Sequence, residues 1–429
     1  MAQMRFARDF AIPFQLRHMN RRRNALVAFA AKGPEQARIA GDGIFGLENN
    51  LKRFGGFLSG LRDAEAFARL EAAEADLRER TRRDANLSGR VGQAWSRIES
   101  AVQKEQEAFA ESQLVGALGT GLLAQGLTLE RLVTEVAKPN ADRQPGYTDE
   151  TLPATRARLL TDRPYYKDLE QAVLAGALQD LLDELGPKHP LVVALLEGKA
   201  PADVARQVME GTHLHETAFR RQLFDGGAAA VQASTDPLLL LARKLDPFQR
   251  KVRKQMEEQV RSVYAEQGAH IAEARFAIYG KEAYPDATFT LRLTYGPVSG
   301  YPANGTFIQP YTTFYGLFDR AVGQGPEAKN GAWALPPRWE LRKSAVDLAT
   351  PFNFAYACDT IGGNSGSPVV NTKGEVVGLN FDGNIEGLVG RYYYDARVKR
   401  SVAVDSRAIL EALNRVYDAG HLSAELQGR

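Results

Sequence analysis

Cysteine is almost missing from this chain: Cys358 is the only one. A lone thiol excludes an internal disulfide, and no Cys/His spacing resembles a zinc site, so no metal or other cofactor is expected. An excess of either charge is lacking too. The 54 basic and 52 acidic residues leave a formal charge of +2, which supplies no electrostatic footprint for nucleic acid or an anionic membrane. No run approaches the roughly 18 apolar residues that a membrane span needs. Neither a nucleic-acid partner nor a membrane span is therefore expected. The first residues carry Arg8, Asp9 and then Pro13 where a secretory signal keeps an unbroken apolar core, so the chain as written is not visibly exported. Internal repeats and low-complexity linkers are also absent.

What is present is 429 residues with an ordinary apolar share of 44%, more than one core usually organises. From about residue 14 to 275 the pattern is helical, rich in Ala, Leu, Glu, Arg and Gln. Phe67, Leu70 and Leu77 share a face; Val91, Trp95, Ile98 and Val102 recur at helical spacing; Leu169, Val173, Leu178, Leu181 and Leu185 form a stripe stopped by Gly186-Pro187. Asp236-Pro237 and Asp246-Pro247 each read as an N-cap followed by Pro at the first helical position, which predicts two helix starts. His213 and His215, two residues apart, would point to different faces of a helix and read as solvated or core histidines rather than metal ligands. His18, beside Arg21, Arg22 and Arg23, reads as surface.

After Phe276 the texture changes. Phe289, Leu291, Leu293 and Tyr295 alternate with Thr288, Thr290, Arg292 and Thr294, the period of a strand. Gly, Pro and aromatic residues then punctuate short segments, as in a small barrel, and Ser406 to Tyr417 returns to helix. The expected fold class is α+β: an all-helical domain over 1–275, then a β-barrel half over 276–429 ending in a closing helix.

Chemistry concentrates in Asp-Thr-Ile-Gly-Gly-Asn-Ser-Gly-Ser-Pro-Val-Val, residues 359 to 370. Gly362, Gly363 and Gly366 permit a tight path around Ser365, so that neighbouring amides can converge on one point. In acyl transfer that point is the oxyanion, and donors from Gly363 and Ser365 would stabilise it by about 3 to 4 kcal/mol each. Pro368-Val369-Val370, the turn Asn371-Thr372-Lys373-Gly374 and Val376-Val377-Gly378-Leu379 make a hairpin that holds the nucleophile. A bare Gly-Asn-Ser-Gly is also an ordinary turn; the hairpin and the Ser-Pro-Val continuation favour the nucleophile.

This segment resembles the nucleophile loop of chymotrypsin-clan serine peptidases. Asn364 stands where the digestive enzymes place the Asp that pairs with a newly cut N-terminus, which argues against activation of that kind. The segments 284–296, 312–317, 335–339, 351–354, 378–384 and Gly46-Leu47-Glu48-Asn49-Asn50-Leu51-Lys52 narrow the likeness to the bacterial dipeptidyl-peptidase 7/11 family (peptidase family forty-six), over essentially the whole chain. That family releases dipeptides from free peptide N-termini and inserts a helical domain between its two barrels. The resemblance implies that residues 1–275 cap an active site, that Ser365 is the nucleophile and that Gly363 is an oxyanion donor. It further implies that Asn49 and Asp382 bind the substrate's free amine, although Asn49 also fits a helix-surface residue and Asp382 a turn. Gly383 occupies the position where acid-selective members carry an Arg, which implies an uncharged pocket preferring apolar penultimate residues. A periplasmic or cell-envelope location goes with the family.

The catalytic base does not follow. In this fold the His and its orienting Asp come from the first barrel, and His18, His189, His213, His215, His270 and His421 lack the family's context. The chain reads as the C-terminal part of a longer enzyme without its first barrel, slow or inactive alone. The uncovered face would be met by that barrel or by a second copy. The rival reading is a non-catalytic peptide-binding protein that keeps the amine anchor and the pocket. A third, a helical adaptor, leaves Ser365 unexplained.

Overall fold

In the computed structural model, residues 1–119, 121–280, 291–323 and 333–428 are described. The chain divides into two compact units: Met1–Phe54 with Glu65–Tyr284, and Gly55–Ala64 with Pro285–Arg429.

The first unit is helical. Its core gathers Phe14 and Phe109, Leu118, Leu122 and Leu129, Leu178 and Leu181, and Leu238, Leu241 and Leu245, all buried. The stripe on Lys167–Leu185 faces this core, and the helix stops where Gly186 turns to φ +81°. Asp236 caps Pro237–Met256, accepting from the amides of Leu238 and Leu239.

The second expected helix start is not one. Pro247 lies inside Pro237–Met256, and the buried Asp246 carboxylate accepts from Arg131 at 2.6 Å and from Arg250. A proline removes one intrahelical bond; here the side-chain ties across to the neighbouring helix Gly121–Val136 hold the segment in register. Glu135, fully buried, accepts from Lys138, Arg250 and the Gln144 amide in the same network. Burial pushes its carboxyl up, but those hydrogen bonds outweigh burial and hold it at about 2, below the ordinary 4.5. A depressed carboxyl contributes stability that is complete above its unfolded value and is lost as pH falls through the folded one. Urea melts of the wild type should therefore weaken from about pH 4.5 toward pH 2 by more than those of Glu135→Gln; equal acid sensitivity would remove Glu135 from the account.

His18 is not a surface residue. Its side chain is 14% exposed, set between Asp180 (3.1 Å) and Glu184 (3.2 Å), with its ring centroid 4.3 Å from that of Phe14. Its neighbouring arginines suggested solvent, but the Phe14 stripe on the same helix, Ile12–Ala30, turns position 18 inward. His213 is exposed, with Nδ1 2.9 Å from Glu216.

The second unit is built on a five-stranded antiparallel sheet. Its strands are β3 (Tyr311–Thr313), β4 (Pro351–Tyr356), β5 (Pro368–Val370), β6 (Val376–Gly383) and β7 (Ser401–Asp405), in the order β3-β4-β7-β6-β5. A separate hairpin pairs β1 (Tyr301–Ala303) with β2 (Thr306–Ile308). One buried cluster joins Phe354, Tyr356, Cys358 and Ala403; another joins Phe314, Val346, Ala408 and Val416. The closing helix begins at Ser406, capped by Asp405, and supplies Ala408 to the second cluster.

The strand read at 288–295 is corrected for its described part. Residues 288–290 lie outside the described residues, while Leu291, Leu293 and Tyr295 are in no strand and are strongly exposed. Alternation marks a segment fit for a sheet; a strand forms only where another backbone accepts its hydrogen bonds.

The short piece Gly55–Ala64 joins this unit through two glycines one helical turn apart. A Cβ at Gly60 would stand 2.3 Å from Val389 Cβ, and one at Gly56 2.6 Å from Leu388 Cδ1. Tyr393 donates to the Gly60 carbonyl at 2.9 Å. Only glycine permits that approach.

Candidate active site

The loop from Asp359 to Pro368 is shaped by its own polar residues. Asn364 Oδ1 accepts from the Ile361 amide at 3.0 Å, the Asn364 amide donates to Ile361 O at 3.1 Å, and the Ser367 amide donates to Asn364 O at 3.1 Å. Gly363 and Gly366 turn at φ +106° and +86°, a region costly for any side chain. Asn364 thus closes the turn on itself.

Strand β6 then fastens the turn. The Gly366 amide donates to Asn380 O at 2.7 Å and the Asn380 amide to Ser367 O at 2.9 Å. Asn380 Nδ2 reaches Asn364 O at 3.2 Å, and Asn380 Oδ1 accepts from the buried Tyr356 hydroxyl at 2.7 Å. Burial pushes the Tyr356 phenol up to about 12, so it stays a donor across the physiological range. Asn380 and Tyr356 were missed in the sequence. Their signal was faint: a polar Asn inside the otherwise apolar run Val376 to Phe381.

At the apex Ser365 is exposed, and its Oγ donates to the Phe381 carbonyl at 3.3 Å. Among the described residues the amides of Gly363 and Ser365 donate to no other group. An accessible hydroxyl flanked by two uncommitted amides is the equipment for attack on a carbonyl and for holding the resulting oxyanion. No histidine hydrogen-bonds Ser365 among the described residues; five of the six belong to the helical unit, and His421 is exposed on the last helix. No group of three or more His, Cys, Asp or Glu side chains suited to a metal occurs among the described residues.

Strand β6, whose Phe381 carbonyl accepts from Ser365, ends in two more sequence-derived candidates. Asp382 is exposed at the end of β6, its Oδ1 accepting from the Gly383 amide at 2.8 Å. Gly383 pairs with Ser401 on β7, and a Cβ there would meet nothing closer than Arg400 O at 3.4 Å, so the position admits a side chain. Asn49 belongs to the other unit, exposed on Pro34–Leu61, and its side chain makes no hydrogen bond among the described residues. The structure thus groups Gly363, Ser365, Asp382 and Gly383 in one unit and sets Asn49 in the other.

A cavity of about 480 Å³ lies elsewhere, in the helical unit, with Phe14, His18, Leu26, Leu114, Val173 and Asp180 in its wall. It holds no nucleophile, and the chemistry above, not volume, marks the candidate site.

The sequence model of the family described as Peptidase S46 matches residues 1–428. An Asp/Glu-specific dipeptidyl-peptidase from Shewanella putrefaciens is 28% identical over 99% of this chain, which spans 62% of that protein's length. Dipeptidyl-peptidase 7 of Phocaeicola vulgatus is 38% identical over 33% of the chain and 20% of its own. Among solved structures, Porphyromonas endodontalis DPP11 in complex with the dipeptide Arg-Glu superposes with a TM-score of 0.75 at 19% identity, covering 99% of this chain and 62% of that one. At that identity the likeness establishes the fold.

Proposed function

Because the chain belongs to the Peptidase S46 family, we propose that it is the nucleophile-bearing part of a serine-type dipeptidyl peptidase that removes dipeptides from free peptide N-termini. The observation that carries this reading is the exposed Ser365 hydroxyl beside the uncommitted amides of Gly363 and Ser365. The general base and its carboxylate come from outside this sequence, on a second β-domain. In support, Ile361 in the loop and Leu379 and Phe381 on β6 leave large apolar side chains exposed, the kind of surface that another domain covers. The periplasm or cell envelope is the compartment that fits the family.

Asp382 is assigned to the substrate ammonium, which needs polar partners because burying it unpaired costs several kcal/mol; the family likeness gives Asn49 the same assignment. Calorimetry of the chain with free and N-acetylated dipeptides tests the anchor. Binding that requires the free amine supports the reading; equal binding of both forms, or none, sinks it.

At the specificity pocket Gly383 contributes no charge, so an apolar penultimate side chain is preferred, unlike the acid specificity named for the Shewanella relative. Gly383→Arg should raise the preference for Asp over Leu by about tenfold or more, the worth of one charge pair near a protein surface. An unchanged ratio in the same binding assay would remove Gly383 from the pocket. A non-catalytic peptide binder remains the second reading, favoured by the lack of any histidine hydrogen bond to Ser365 among the described residues.

A further inference from the structure

A peptide unit is planar and trans, so its N–H points opposite to its C=O. The Ser365 amide shares its plane with the Asn364 carbonyl, and whatever holds that oxygen sets where the N–H points. Gly363 and Gly366, at φ +106° and +86°, stand on either side, so the flanking chain offers little resistance when this unit turns. Within the turn, the Ser367 amide reaches Asn364 O at 3.1 Å. Among the described residues the other bond to this oxygen comes from outside the loop, from Asn380 Nδ2 on β6 at 3.2 Å.

The Asn380 amide can face only one way. A carbonyl accepts and cannot donate, so the group turned to Asn364 O is Nδ2; that leaves Oδ1 toward Tyr356 and makes the phenol the donor, at 2.7 Å. Asn380 is 4% and Tyr356 6% exposed, so solvent hardly competes for either group. The Asn380 main chain is itself fixed by the Gly366 amide and the Ser367 carbonyl, and the Tyr356 ring packs with Phe354, Cys358 and Ala403. Strands β4 and β6, which carry the pair, flank β7. An apolar pair would fill this place without the desolvation cost of a buried hydroxyl and amide. What only the polar pair supplies is direction.

We propose that Tyr356 and Asn380 are positioning residues for the oxyanion site. The phenol orients the Asn380 amide, the amide holds Asn364 O, and the peptide plane carries that constraint to the Ser365 N–H. Both act through the loop rather than on the substrate. This rests on the peptidase reading of Ser365 and deepens it.

The test is calorimetric binding of a dipeptide boronic acid and of the matching dipeptide amide to the full chain. Ser365 Oγ adds to boron: the O–B bond forms, the hydroxyl proton passes to solvent, and the tetrahedral anion offers an oxygen to the amides at 363 and 365. The dipeptide amide forms no such adduct. The wild type should prefer the boronic acid about a hundredfold or more, and Ser365→Ala should lose that preference. Asn380→Asp, of the same shape but without the Nδ2 donor, should lower the preference about tenfold or more, and Tyr356→Phe about threefold to tenfold. A pair that served stability alone would lower Tm and weaken both ligands alike; an unchanged preference in the folded variants overturns the proposal. Should Asn380→Asp not fold, Tyr356→Phe, which keeps the ring, decides the matter: a lowered preference supports the proposal and an unchanged one overturns it. A wild-type chain with no Ser365-dependent preference overturns the peptidase reading and this inference together, an outcome visible before either positioning variant is made.

Discussion

Ser365→Ala is expected to lower dipeptide release by about six orders of magnitude in an enzyme assembled from this chain and a His-bearing β-domain, the loss seen when a serine hydrolase loses its nucleophile. At roughly 1.4 kcal/mol per factor of ten, this removes about 8 kcal/mol of transition-state stabilisation. Dipeptide binding should barely change, because the amides at 363 and 365 survive the substitution and the Oγ gives up only a 3.3 Å bond to Phe381 O. The two effects separate cleanly in a chromogenic release assay run beside calorimetry. Product formed at equal rates by the wild-type and Ser365→Ala forms of the assembled enzyme would show that Ser365 is not the nucleophile. The chain by itself should sit at background with either residue, since its hydroxyl has no base hydrogen-bonded to it among the described residues.

Arg220→Met should produce the largest loss of stability. Arg220 is fully buried on Thr217–Asp225. It donates to the carbonyls of Leu159 (2.7 Å), Leu214 (2.7 Å), His215 (3.0 Å) and Thr161 (3.2 Å) and to Thr217 Oγ1 (3.0 Å). Its guanidinium also lies over the Tyr165 ring, 5.3 Å from the centroid. Burial pushes the guanidinium down from its ordinary value, yet an arginine keeps its proton in proteins. The cation is solvated by main-chain oxygen, and it ties two loops of the helical unit together. Methionine fills similar space but leaves those oxygens unpaired, at about 1–3 kcal/mol for a buried group. The net loss should be about 3 kcal/mol or more, or roughly 6–12 °C in Tm. Arg220→Lys should fall between, because one ammonium cannot span both loops with three donors. An unchanged Tm for Arg220→Met would show that the loops hold without it.

Much of the helical unit was legible because core stripes repeat at helical spacing and stop signals are local. Lys167–Leu185 and its Gly186 stop needed nothing beyond the chain itself. The misreadings came where a residue's partner lies far away. Asp246-Pro247 looks like a helix start until Arg131 takes the carboxylate, and His18 looks solvated until Asp180 and Glu184 close on it. The Leu291–Tyr295 alternation looks like a strand, yet no strand forms there among the described residues.

For the candidate site, the sequence by itself determined the local geometry of the turn around Ser365. Glycine spacing and an Asn that hydrogen-bonds its own neighbours act over a few residues, so the conformation is written into adjacent positions. Only the tertiary structure decided that Tyr356 and Asn380 fasten that turn and that Gly60 admits Val389. Those contacts join residues separated by long stretches of chain, and no local pattern encodes which distant side chain will arrive.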